Sequence, residues 1–202
     1  PPRSTLFPYT TLFRSKFSRK WDLYEKWCLM TLIKLIGSQF PNYHLQQELK
    51  TLFSPGTAYL YEFPKMPDGK PFISMKINSS LTINVFYQYK VVVPNTNLRY
   101  TPDIYIEIMN QQTQHIHKKL IFDAKFSFSN PIYVNEGLAK YVGMLQLVIA
   151  DLDYVGVLVP TWNSSNTPDW SVKKDKLEYG VIRFHPETLT ECQELLIKYL
   201  EI

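Results

Sequence analysis

Hydrophobic spacing divides the chain into a helical start, a strand-rich middle and a mixed end. Over residues 18–36, Trp21, Tyr24, Cys28, Leu32 and Leu35 recur at steps of three and four, one stripe of a helix, with Gly37 as its expected stop. A shorter helix is expected around 42–53. From Thr57 the period changes: AYLYEF, PFISMKI and SLTINVFYQYKVVV are rich in β-branched and aromatic residues and partly alternate. Residues 103–109 (DIYIEIM) and 119–125 (KLIFDAK) read as a hairpin joined by a long polar connection. Asn135 caps a predicted helix to about residue 150, with Leu138, Val142, Leu145 and Ile149 on one stripe. YVGVLVP and LEYGVIRF follow, apolar without clean alternation as buried central strands are, with a loop over 163–168 between them. Pro186 opens a last helix with Leu189, Cys192, Leu196 and Tyr199 on one face. This order predicts an α/β fold, a mixed central β-sheet flanked by helices.

Composition narrows the class. The chain has 202 residues, 45% hydrophobic and 15% aromatic, which suits one domain with a full core and excludes wholesale disorder. No run of about 18 apolar residues occurs, so no membrane span is expected. Two cysteines, Cys28 and Cys192, are too few for a disulfide scaffold or a cysteine zinc site, and a reducing, cytoplasmic location is the default. The net charge of +4 tolerates a polyanionic partner without demanding one. Residues 1–15, PPRSTLFPYTTLFRS, lack the apolar core of a signal peptide and resemble translated sequencing adapter of the kind found in metagenomic assemblies. On that reading the native upstream sequence is missing and residues 16–202 are a single domain truncated at its N-terminus; the alternative is a disordered arm. Setting Arg3 and Arg14 aside leaves a charge of +2.

The chemistry concentrates in Pro102-Asp103 and Asp123-Ala124-Lys125. Pro-Asp also occurs at 67–68 and 168–169, and acid-x-Lys at 48–50 and 68–70. Only Pro102-Asp103 opens an apolar strand, and only Asp123-Lys125 closes one. Residues i and i+2 of a strand share a face, so Asp123 and Lys125 point together. If Met109 pairs with Lys119, Asp103 faces Lys125, Tyr105 faces Asp123, and the two aspartates are diagonal neighbours. Two carboxylates can hold Mg²⁺, a hard cation that also accepts phosphate oxygens, and a nearby lysine can stabilise charge developing on phosphorus oxygens. The bland alternative is a salt bridge between Lys125 and Asp103 at the edge of a sheet. Glu25 lies within the apolar stripe of the first helix, where a carboxylate is costly unless paired or bound to a cation. It is either a third carboxylate for the metal or a rim glutamate bonded to a Tyr or Lys. Glu107 lies about 13 Å along the strand from Asp103 and is expected in solvent. His115 and His117 show no third ligand. Lys16, Arg19 and Lys20, and Lys173, Lys174 and Lys176, could touch a nucleic-acid backbone.

The motif Pro-Asp…Asp-x-Lys on a hairpin, behind a glutamate-bearing helix, resembles the PD-(D/E)xK nuclease superfamily with its restriction-endonuclease-like fold. The stretches YEKWC at 24–28, YTPDIYIEI at 100–108, IFDAKF at 121–126, YVGVLVPTW at 154–162 and YGVIRFHP at 179–186 are similar to the McrC-like branch. The resemblance implies that Asp103, Asp123 and Glu25 hold Mg²⁺, or Mn²⁺ in its place, and that Lys125 is the catalytic lysine. In the helix after the motif Lys140, Tyr141 and Gln146 are candidates, and Tyr141 alone is carried over as an accessory residue. The implied function is a Mg²⁺-dependent endodeoxyribonuclease, the cleavage module of a prokaryotic restriction or defence system. Its partners would be DNA and an NTPase or DNA-recognition subunit, since no phosphate-cradling glycine loop is present here. The competing readings are a degenerate nuclease fold used for nucleic-acid binding or assembly, and a resolvase-type or tRNA-splicing-type nuclease on the same fold.

Overall fold

The computed structural model describes residues 20–41, 43–52, 66–92, 99–126, 138–143, 149, 151–160, 171–174 and 176–200. Helix α1 spans Lys20–Ser38 and α2 Leu45–Leu52. Seven of the strands that follow are β1 (Ile73–Lys76), β2 (Leu81–Tyr87), β3 (Val91–Val92), β4 (Arg99–Tyr100), β5 (Ile104–Asn110), β6 (Ile116–Ala124) and β7 (Tyr154–Val159). Then come β8 (Ser171–Lys174), β9 (Leu177–Arg183) and helix α3 (Leu189–Leu200). Residues 138–143 are helical, within the helix expected from Asn135. Residues 1–15, the AYLYEF strand, the 163–168 loop, Gln146, Lys16 and Arg19 lie outside the described residues, as do the side chains of Lys20, Lys173 and Lys174.

The fold is α/β with a mixed seven-stranded sheet in the order β1-β2-β5-β6-β7-β9-β8. The β6-β7 and β7-β9 pairs are parallel and the other four antiparallel. All six residues of β7 are buried, which explains its unbroken apolar run, whereas the edge strand β1 alternates buried and exposed. The pleat sends Ile106, Ile108, Leu120 and Phe122 toward α1 and α3, where they meet Cys28, Leu29, Leu32, Ile33, Cys192 and Leu196. The opposite face carries Tyr105, Ile121, Val155 and Val157, packed with Leu138 and Tyr141 of the helical residues 138–143. Helices thus cover both faces. Both cysteines are buried free thiols, and no helix among the described residues is long and apolar enough to cross a membrane.

Several expectations are corrected. Trp21, placed on the buried stripe, is 48% exposed; Tyr24, Cys28 and Leu32 of that stripe are buried as expected, and Leu29, Ile33 and Ile36 widen the contact surface of α1. Gly37 stands in the last turn of α1, which runs one residue further to Ser38, and a Cβ there would lie 2.9 Å from Leu45 Cδ2, so glycine also eases the approach of α2. The last helix begins at Leu189 rather than Pro186, after a turn closed by the Thr188 amide on the His185 carbonyl. The long strand expected through Val91 breaks at Gln88, whose φ is +50°, and Val91–Val92 pairs with Arg99–Tyr100 in a separate two-stranded sheet. Strand β8 was not foreseen.

The hairpin register also differs. Glu107 pairs with Lys119 and Ile104 with Phe122, two residues away from the expected alignment, with a bulge where Met109 meets Ile116. Extrapolated past Ile104↔Phe122, Asp103 stands opposite Asp123, not Lys125. The cause is local. Asn110 Oδ1 accepts the amides of Gln112 and Thr113, Gln114 takes φ +57°, and the Asn110 amide donates to the His115 carbonyl. This short turn lets β6 begin at Ile116 and satisfies backbone groups that a longer loop would leave to water. A shift of two residues preserves the faces, so Asp103 and Asp123 still share one.

Gly156 of β7 tests the packing. A Cβ there would lie 2.7 Å from Tyr154 Cε1 and 3.0 Å from Phe122 Cδ1, both in fully buried rings. Gly156→Ala is therefore expected to cost about 1–3 kcal/mol by overpacking, read from the midpoint of urea unfolding at unchanged slope.

Candidate active site

The site forms where five chain segments end together. The C-terminal ends of β6, β7 and β9 lie side by side, and the end of β2 and the start of β5 complete the rim. Carboxyl ends of parallel strands are the usual place for ligands in open α/β sheets. Tyr24 Oη donates to the Phe184 carbonyl at 3.0 Å, which ties the first turns of α1 to this end of the sheet. Glu25, the next residue, is thereby carried to the same rim.

At the rim, side chains replace the strand ladder. The Lys125 amide donates to the Leu158 carbonyl on β7 at 2.8 Å. Successive amides of a strand point to opposite neighbours, so the Ala124 amide is directed at β5. Its acceptor there is Asp103 Oδ2, at 2.7 Å. Asp103 is fixed from the other side as well, its carbonyl accepting the Gln88 amide at 2.8 Å. Asp123 is 1% exposed. Its Oδ1 accepts the Tyr141 hydroxyl at 2.9 Å, and Lys125 Nζ stands 2.5 Å from Oδ2. Tyr141 Oη also lies 3.3 Å from the Thr101 carbonyl, but its single proton favours the charged partner.

Charge crowding is the dominant electrostatic fact. Burial, then the charges of Asp123 and Glu25, push Asp103 up to about 8, against the opposing pull of Lys125 and the Ala124 amide. Glu25 is raised by burial, Asp22 and Asp123, and lowered by Lys125 and a hydrogen bond with Gln88. Burial pulls the Lys125 pKa down, but Asp123, Asp103 and Glu25 together outweigh it and the net direction is up, so the ammonium stays charged. Tyr141 is raised far above its ordinary value by burial and by Asp123, and remains a donor.

The structure thus gathers Asp103, Asp123, Lys125 and Tyr141 in direct contacts and brings Glu25 into their field. Lys125 pairs with Asp123, not with Asp103 as in the bland sequence alternative. Glu25 hydrogen-bonds with Tyr87 and Gln88, so it has the polar partners of a rim glutamate as well as proximity to the aspartates. Among the described residues, no three His, Cys, Asp or Glu side chains meet closely enough to hold a metal ion by themselves. Two observations nevertheless fit a hard divalent cation. Asp123 Oδ2 is buried with no hydrogen bond of good geometry despite the nearby ammonium, and three acids share one small region. Mg²⁺ is held by as few as one or two carboxylates, with water and phosphate oxygens as its other ligands, so Asp103 and Asp123 suffice as the protein's share. Glu107 accepts the Tyr105 hydroxyl at 2.9 Å and faces Lys119, away from the cluster. His115 and His117 are exposed, with ring centres 5.0 Å apart. A concavity of about 800 Å³, lined by Lys34, Gly37, Tyr43 and His44 among others, lies toward the far end of α1 and gathers none of these acids.

Sequence reasoning missed Gln88 and Tyr87. Gln88 takes a left-handed backbone conformation usual for Gly, Asn or Asp, so nothing in its residue type announced the kink.

The fold and this acid-acid-lysine cluster define a nuclease-like α/β domain. The family model of the PD-(D/E)XK nuclease superfamily matches residues 22–131, more than half of the chain, and the protein belongs to that superfamily. No curated protein and no solved structure matches the chain significantly.

A carboxyl whose folded-state pKa is raised holds its proton more tightly when folded, so between about pH 4 and 8 stability falls as pH rises. In EDTA, melting of the wild type is expected to drop between pH 5 and 8.5. Asp103→Asn, neutral throughout and still able to accept the Ala124 amide, should show a shallower drop. A parallel decline in both proteins would show that Asp103 carries no such strain.

Proposed function

We propose that this chain is a metal-dependent endonuclease that hydrolyses DNA phosphodiester bonds in the cytoplasm. Residues 16–202 would be the cleavage module of a restriction or defence system of the McrC-like kind, working with an NTPase or DNA-recognition subunit. The observation that carries the reading is the meeting of Asp103, Asp123 and Lys125 at one sheet end, in a chain of a nuclease superfamily.

In this reading Asp103 and Asp123 hold Mg²⁺ or Mn²⁺, with Glu25 contributing from α1. The bound cation supplies Lewis-acid polarisation of the phosphate and makes water more acidic. The Ala124 amide fixes Asp103, and the Tyr141 hydroxyl fixes Asp123, so neither carboxylate needs to reorganise when substrate arrives. Lys125 keeps its proton in the field of the acids and is half-exposed. Its ammonium can therefore leave Asp123 Oδ2 for a phosphate oxygen and stabilise the charge that grows there in the transition state.

Asp123→Asn and Lys125→Ala are each expected to lower Mg²⁺-dependent cleavage of plasmid DNA by about 10²–10³-fold or more while far-UV circular dichroism stays native. Equal nicking by wild type and both variants would refute the proposal. DNA binding without cleavage, and no heat of binding with Mg²⁺ or Mn²⁺, would assign the chain to a non-catalytic binding or assembly role.

A further inference from the structure

The geometry points to Lys140 as a phosphate-positioning residue, the second cation of the site, holding a backbone phosphate beside the one to be cleaved; this rests on the nuclease reading. Helical residues 138–143 bury Tyr141 and leave Lys140 exposed, yet the Lys140 ammonium is not extended into solvent. Nζ lies 3.4 Å from Tyr141 Oη, 4.8 Å from the centre of that ring and 5.8 Å from the centre of the Tyr100 ring. The side chain is folded across two tyrosine rings, so its position is restricted before any ligand binds.

That position is defined relative to the chemistry. Tyr141 Oη donates to Asp123 Oδ1, so the Lys140 ammonium lies one phenol oxygen away from the carboxylate that meets Lys125 through its other oxygen. Asp123 is bracketed by two cations. In the free protein Lys125 is paired with Asp123, whereas among the described residues no carboxylate pairs with Lys140. A site with three acids and one inward lysine repels a polyanion, and a cation at its mouth, with donors still available, offsets that repulsion. An ammonium carries three donors, so one can remain on Tyr141 while others reach a phosphate. The contact would be to backbone, insensitive to sequence, and would set where the strand lies rather than perform the reaction.

The test measures affinity for a short DNA duplex by fluorescence anisotropy in EDTA over a series of salt concentrations, for wild type, Lys140→Ala, Lys140→Arg and a remote control, Lys34→Ala. Neutralising one fewer phosphate should reduce the slope of log K against log salt by about 0.9. Lys140→Ala is expected to lose affinity about five- to tenfold with that reduced slope, while Lys140→Arg and Lys34→Ala track the wild type. In Mg²⁺, the KM of Lys140→Ala should rise by more than its kcat falls. Wild-type affinity and slope in Lys140→Ala would overturn the proposal. So would equal losses in the alanine and arginine variants, which would assign Lys140 to ring packing alone. Absence of metal-dependent cleavage by the wild type would instead refute the nuclease reading, and the binding series separates the two failures.

Discussion

One carboxylate in place of a backbone carbonyl organises this end of the molecule. Where β5 and β6 part, the Ala124 amide still points toward β5, and Asp103 Oδ2 receives it. A buried amide without an acceptor would cost free energy comparable to a lost hydrogen bond, so the parted strands need Asp103 there. The same contact places a second carboxyl beside Asp123 and within the field of Glu25, and the acid-rich character of the site follows from it. The chain just past β2 cooperates: the Gln88 amide holds the Asp103 carbonyl, and the left-handed kink at Gln88 turns the chain away into β3.

The cluster is costly to the free protein. Asp103 is driven up to about 8 by burial and by its neighbours, which is stored electrostatic strain. In the proposed reaction such strain has a direct use, because a divalent cation would neutralise the acids that the fold has crowded. Tyr141 holds Asp123 in place, and Lys125 limits the repulsion without filling the hydrogen-bonding capacity of Oδ2. Contributions come from both layers of helices: Glu25 from the α1 side and Tyr141 from the opposite side, with the sheet end between them.

Much of the architecture was legible from periodicity. The stripes of α1 and α3, the apolar run of β7 and the hairpin of β5 and β6 all follow from which residues must leave water, and the mixed sheet follows from their order. The misreadings share a cause. Trp21 fits an apolar stripe, but it stands in the first turn of α1, ahead of the residues that pack on the sheet, and is half-exposed. Gly37 is a helix stop by propensity, but close approach of Leu45 gives glycine another reason to be there. The hairpin register was set by Asn110 capping a short turn, a hydrogen-bonding choice that hydrophobic pattern does not record.

The sequence by itself determined that Asp103, Asp123 and Lys125 share one face of a hairpin, because the two-residue period of a strand survives any even shift of register. Tertiary structure decided which of them meet. Only the folded chain sets Asp103 against the Ala124 amide, pairs Lys125 with Asp123 and brings Tyr141 and Glu25 to the rim from opposite layers. Apart from the Lys125–Asp123 pair, these contacts join residues far apart in the chain, and they depend on how strand ends splay and helices cross them rather than on any local preference of the residues involved.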